Sequence, residues 1–120
     1  MDKGLLQALP LASWPEKLAL EEVGRAAQGH PSIARIVAFG SRVRGDFSGE
    51  SDLDLLVLLD DISAREDVVR FIFRIERKHD VSLSPVIYTI DEYAMNRKLG
   101  SGFVANIERE GVVIYDSKPC

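Results

Sequence analysis

The stretch Gly40-Ser41-Arg42-Val43-Arg44-Gly45-Asp46-Phe47-Ser48-Gly49-Glu50-Ser51-Asp52-Leu53-Asp54 lies between two short apolar runs, Ile33 to Phe39 and Leu53 to Leu59. The first run is rich in β-branched residues and stops at a glycine, as a strand entering a tight turn does. The second is apolar on both alternating faces, which a central strand buried on both sides requires. The two strands are expected to pair. The connection is glycine-rich and charged, too short for a linker, and carries the polar chemistry of the chain.

Each part of that connection has a physical use. Gly40 ends a strand where a β-carbon would block a phosphate, and Ser41 can cap a one-turn helix and offer its hydroxyl to phosphate oxygens. Asp52 and Asp54 stand two apart at the start of a strand, so their side chains share a side, with β-carbons about 6–7 Å apart. Unpaired beside Leu55, Leu56, Val57 and Leu58, the two carboxylates would repel and suffer desolvation. A hard cation such as Mg²⁺ offsets both costs and keeps waters and phosphates as its other ligands. An isolated Asp-x-Asp is ordinarily a solvated turn; the buried run after Asp54 and the Gly-Ser turn before it argue against that here. Gly40 and Gly45 also have the spacing of the two P-loop glycines. Asp46 and Phe47 then stand where that motif needs its Lys and Ser or Thr, which excludes it.

Outward from this stretch, Pro15 at a first helical position, apolar Leu18, Ala19, Val23, Ala26 and Ala27, and Gly29-His30-Pro31 as a stop predict a helix over one sheet face. Ser63 with Glu66 forms a capping-box pattern that predicts the longest helix, with Val68, Val69, Ile72 and Ile75 recurring down to about His79. Residues 81–88 read as a third strand, with Pro85 placing it at an edge or bulge. Thr89 and Glu92 open a short helix, Ser101 another that closes at Gly111, and residues 112–115 add a strand. The expected fold is a single α/β domain, a mixed β-sheet flanked by helices, over residues 1–120 with its core at about 33–115.

The whole chain of 120 residues is 46% hydrophobic and 28% charged, within the range of one independently folding domain. The one cysteine is Cys120, so neither an intrachain disulfide nor a thiolate metal site is expected. A net charge of −4 argues against bulk binding to nucleic acid. Arg35, Arg42 and Arg44 still form a local basic cluster fit for a single nucleotide. No apolar run reaches the ~20 residues of a membrane span and the N-terminus lacks a signal-peptide pattern, so no membrane association and a cytoplasmic location are expected. His30 and His79 lack the spacing of metal or acid–base histidines, and Asp60-Asp61 suit the start of the coming helix. Trp14, Phe71 and Phe73 are expected in the core, except that Phe71 and Phe73 straddle the Ile72 stripe and one of them can face a partner.

Gly40-Ser41, ten residues from Arg42 to Ser51, then Asp52-Leu53-Asp54 resembles, without a gap, the motif of the minimal nucleotidyltransferases of the DNA polymerase β superfamily. Ser51 before the first Asp and Leu55 after the second strengthen the resemblance, and the order of elements from Ile33 to Tyr115 is similar as well. The 106–112 segment is similar less specifically. The resemblance implies the nucleotidyltransferase fold, with Gly40, Ser41, Arg42, Arg44 and Ser51 binding a nucleoside triphosphate, expected to be ATP. It also implies Mg²⁺ held by Asp52 and Asp54, and attack of a hydroxyl on the α-phosphate. Members usually add a third carboxylate on the next strand, where this chain has Ser82 and Ser84 and only Asp80 at the entrance; Asp80 is the candidate for that catalytic role. Members with an added helical domain modify small molecules. This chain is expected to take its acceptor from elsewhere, either a small helical HEPN-type toxin whose tyrosine receives AMP or a second copy in a homo-oligomer. A catalytically weak module that masks its partner and a small-molecule transferase are the alternatives.

Overall fold

The computed structural model of the chain describes residues 13–45 and 52–117. Helix α1 spans Trp14–Gln28, strand β1 Ile33–Phe39, the one-turn helix α2 Ser41–Arg44 and strand β2 Leu53–Leu59. A 3₁₀ turn at Ile62–Ala64 leads into α3, Arg65–His79; then come β3, Leu83–Thr89, α4, Ile90–Lys98, α5, Gly102–Glu110, and β4, Val112–Asp116. The order matches the expected alternation, and the strands form one mixed sheet in the order β3-β2-β1-β4. β1 runs antiparallel to β2 and β4, while β2 and β3 are parallel, joined by α3 as crossover. Pro85 lies in β3, an edge strand, where its missing N–H costs least.

The apolar-on-both-faces pattern of β2 has its consequence in two cores. Leu55, Val57 and Leu59 pack with α1 and α3 through Leu20, Val23, Val68, Ile72 and Ile75. Leu56 and Leu58 face the other way, onto Tyr93 of α4 and Val104 and Ile107 of α5. Each fully buried Leu or Val contributes about 1.5–3 kcal/mol, so this strand fixes the sheet between its helix layers and leaves Asp54, its one polar residue, nowhere to go but the strand end. Among the described residues no helix is long and apolar enough to cross a membrane.

Three local expectations are corrected. Ser63 does not cap α3: it lies inside the 3₁₀ turn, where Asp61 accepts its N–H at 3.0 Å, and α3 follows from Ala64 without a side-chain cap. Asp61 therefore does the capping one step earlier. Ser41 is the first residue of α2 and not its cap, a position that Gly40 takes. Trp14 is 62% exposed at the first turn of α1, and of the phenylalanine pair Phe71 is buried and Phe73 exposed. His30 stacks on Phe71 with ring centroids 5.0 Å apart, and His79 pairs with Glu22 at 3.0 Å, both structural uses.

Candidate active site

The antiparallel register pairs Phe39, the last residue of β1, with Asp54, the second of β2. The turn after β1 and the acidic start of β2 are thus brought to the same end of the sheet. At that end Gly40 has φ 90° and ψ −166°, a conformation essentially closed to L-residues, and a β-carbon there would collide with the Asp54 carboxylate. The glycine is required both by the backbone and by the approach of the acid. The α2 turn then closes with Val43 and Arg44 N–H donating to the Gly40 carbonyl, and Gly45 ends it in the left-handed region. The N–H groups of Ser41 and Arg42 precede the first intrahelical bond, at the end of the turn that would face an anion.

Residue parity along β2 puts Asp54 on the same face as Leu56 and Leu58, the face of α4 and α5, with Asp52 one pleat before it. Asp52 is exposed and Asp54 half-buried. Burial pushes the Asp54 carboxyl above its ordinary value, the Asp52 charge adds to the effect and the Arg44 guanidinium opposes it. Two like charges, one partly desolvated, fit a hard divalent cation, which would relieve both causes of that shift.

The adjacent strand supplies no third acid at this level. β3 runs parallel to β2 with Ser84 directly beside Asp54, and the carbonyl of Ser82 accepts the N–H of Leu53 at 3.0 Å. Asp80 ends α3 in the left-handed conformation, φ 54°, with its N–H donating to the Glu76 carbonyl, and is exposed. The structure therefore brings together Gly40, Ser41, Asp52 and Asp54, and puts Asp80 at a helix terminus. Ser51 lies outside the described residues.

The two arginines of the turn differ. Arg42 reaches back to α1 and meets Glu16 at 2.5 Å, with only 13% of its side chain exposed. Arg44, 40% exposed, pairs with Glu110 at the end of α5 at 2.8 Å, and its charge is felt at Asp54. Arg35 points elsewhere, to Asp116 at 3.1 Å. Glu16 and Glu110 are site neighbours that sequence reasoning did not find. For Glu16 a signal existed, the Ser13-Trp14-Pro15-Glu16 capping box, with the Ser13 N–H donating to the Glu16 carboxylate at 2.7 Å. Its second use, toward Arg42, has no trace in the spacing.

The polymerase beta nucleotidyltransferase family model matches residues 21–119, most of the chain. The chain belongs to this nucleotidyltransferase family. Two archaeal relatives from Methanocaldococcus jannaschii are similar along most of their length. "Putative protein adenylyltransferase MJ0141" is 29% identical over 85 residues, 68% of this chain and 79% of its own length. "Putative protein adenylyltransferase MJ0604" is 31% identical over 83 residues, 69% and 79% respectively. Among solved structures, a putative nucleotidyltransferase from Sulfolobus solfataricus shares the fold with a TM-score of 0.51 at 21% identity, covering 96% of this chain and 86% of that one. A chain of a toxin-antitoxin complex with AMP-PNP shares it with a TM-score of 0.50 at 17% identity, covering 83% and 74%. The nucleotidyltransferase fold that the resemblance implied is thus the fold of the chain.

Proposed function

We propose that this nucleotidyltransferase is a metal-dependent protein adenylyltransferase that moves AMP from ATP to a tyrosine hydroxyl of a partner toxin and so acts as an antitoxin. The observation that carries the reading is the contact between the Gly40 turn and the Asp54 carboxylate, which joins an anion-binding turn to a pair of acids at one strand end. The named activity of the two archaeal relatives supports protein as the acceptor. The toxin-antitoxin complex, a likeness of fold, supports a toxin as that protein.

Asp52 and Asp54 would hold Mg²⁺, which when bound supplies positive charge to the phosphoryl oxygens. Ser41 and the N–H groups at the start of the turn grip the triphosphate, and Arg44, the more exposed of the two arginines, faces the charge that builds on the leaving pyrophosphate. The tyrosine hydroxyl gives up its proton to solvent as its oxygen attacks the α-phosphorus; a new P–O bond forms, and the bond to the β-phosphate oxygen breaks as pyrophosphate departs. A HEPN-type toxin is the acceptor in this reading. Co-expression with a toxin encoded beside this chain, followed by intact-mass measurement, tests it: one or more AMP increments on the toxin are expected, lost with Asp52→Ala. An unmodified toxin that is still neutralised would overturn it.

A second reading has one observation in its favour. Ser84 stands beside Asp54 where the family usually has an acid, so a protein that holds its partner and masks it, with little transfer, fits that substitution. Neutralisation that survives Asp52→Ala and Asp54→Ala would support masking.

A further inference from the structure

The turn that carries Ser41 is only four residues long, and both helix layers reach it. From one side Glu16 of α1 meets Arg42; from the other Glu110 of α5 meets Arg44 at 2.8 Å. The two pairs are unequal. Glu16 and Arg42 have side chains 8% and 13% exposed, and the Glu16 carboxylate also receives the Ser13 N–H, so it is held from α1 as well as by Arg42. Arg44 is more exposed and its pair is correspondingly screened by water.

We propose that Glu16 is a positioning residue for the nucleotide turn, acting through Arg42 to hold residues 41–45 in the shape that grips the triphosphate. The proposal rests on the reading of that turn as the phosphate grip. A charge-assisted bond between largely buried groups is strong and directional, and losing one partner leaves the other charge badly placed. The Arg42 backbone would then relax toward solvent, and with it the N–H groups on either side of it. Glu16 touches no substrate in this account; its effect is on geometry. Its helix-capping role must be separable, because Ser13 bonds to the same carboxylate.

Three variants separate the roles. Glu16→Gln removes the charge and keeps an oxygen for the Ser13 N–H; Ser13→Ala removes the hydroxyl that caps α1 and leaves the Glu16–Arg42 pair; Glu110→Gln removes the screened pair. In the metal-free, nucleotide-free protein, amide hydrogen exchange at Val43, Arg44 and Gly45 is expected to speed up in Glu16→Gln and to stay unchanged in Ser13→Ala. Calorimetric titration with ATP and Mg²⁺ is expected to show affinity falling about tenfold in Glu16→Gln, less in Glu110→Gln, and within about twofold of wild type in Ser13→Ala. Unchanged exchange in Glu16→Gln, or equal effects of Glu16→Gln and Ser13→Ala, would overturn the proposal. Wild-type protein that binds no ATP while the exchange results come out as expected would overturn the phosphate-grip reading and leave Glu16 as a brace for the turn alone.

Discussion

Gly40→Ala is the perturbation that couples fold and site most tightly. At φ 90° and ψ −166° the residue occupies backbone space used almost only by glycine, and holding alanine there costs about 1–3 kcal/mol. The added β-carbon would also overlap the Asp54 carboxylate oxygen, the end of a side chain that must swing off its present rotamer, at about 0.5–1.5 kcal/mol more. The sum, about 1.5–4.5 kcal/mol, is a large part of the stability of a domain this size. Urea unfolding followed by circular dichroism measures it. The double variant Gly40→Ala/Asp54→Ala, compared with Asp54→Ala alone, separates the parts: without the carboxylate the overlap is relieved but not the backbone strain, so Gly40→Ala should cost about a third less there than in the wild type. A Gly40→Ala protein within about 0.5 kcal/mol of wild type, or an equal cost of Gly40→Ala in the Asp54→Ala background, would refute the claim that the turn is built against the acid.

Three other outcomes follow from the same geometry. Asp54 has its folded-state pKa raised, by burial first and Asp52 second against Arg44, so ionising it weakens the metal-free fold: full stability is present below its ordinary value of 3.8 and declines as pH rises through the raised value. Asp54→Asn should therefore stabilise the metal-free protein at neutral pH, an advantage that vanishes at strongly acidic pH and that thermal melts across pH would show. Asp80→Gly should gain about 0.5–1 kcal/mol in urea unfolding, since glycine accepts the left-handed cap more easily, and Asp80→Asn should leave turnover within about twofold of wild type. Glu22 is held below its ordinary carboxylate range by hydrogen bonds from Lys78 and His79, so its contribution is present above 4.5 and lost as pH falls through the lowered value. Glu22→Gln should flatten the acid limb of the stability profile by a few tenths of a kcal/mol, roughly, as half-exposed pairs do.

What could be read along the chain was whatever periodicity and turn chemistry encode locally. The doubly apolar 53–59 run announced a central strand, Pro85 an edge, and the Thr89 and Ser101 caps the starts of α4 and α5, because each signal acts within a few residues. The Asp52-Leu53-Asp54 spacing likewise put two acids at one strand end, with Asp52 just before β2 and Asp54 its second residue. The capping pattern at Ser63 misled because a 3₁₀ turn inserted by Asp61 absorbs the serine before α3 begins. Trp14 is exposed because it precedes the buried stripe of α1, a matter of helix phase at its first turn. The destinations of Arg42 and Arg44 were illegible for a different reason: their partners lie 26 and 66 residues away, and only the folded sheet brings α1 and α5 to the same turn.

The most direct test of the account is a calorimetric titration of ATP into the purified protein with and without Mg²⁺, beside the Asp52→Ala/Asp54→Ala double variant. Binding that needs Mg²⁺ and disappears in the double variant is the predicted result. Binding that is indifferent to Mg²⁺ or survives loss of both acids would contradict the claim that the two carboxylates and the Gly40 turn form one nucleotide site.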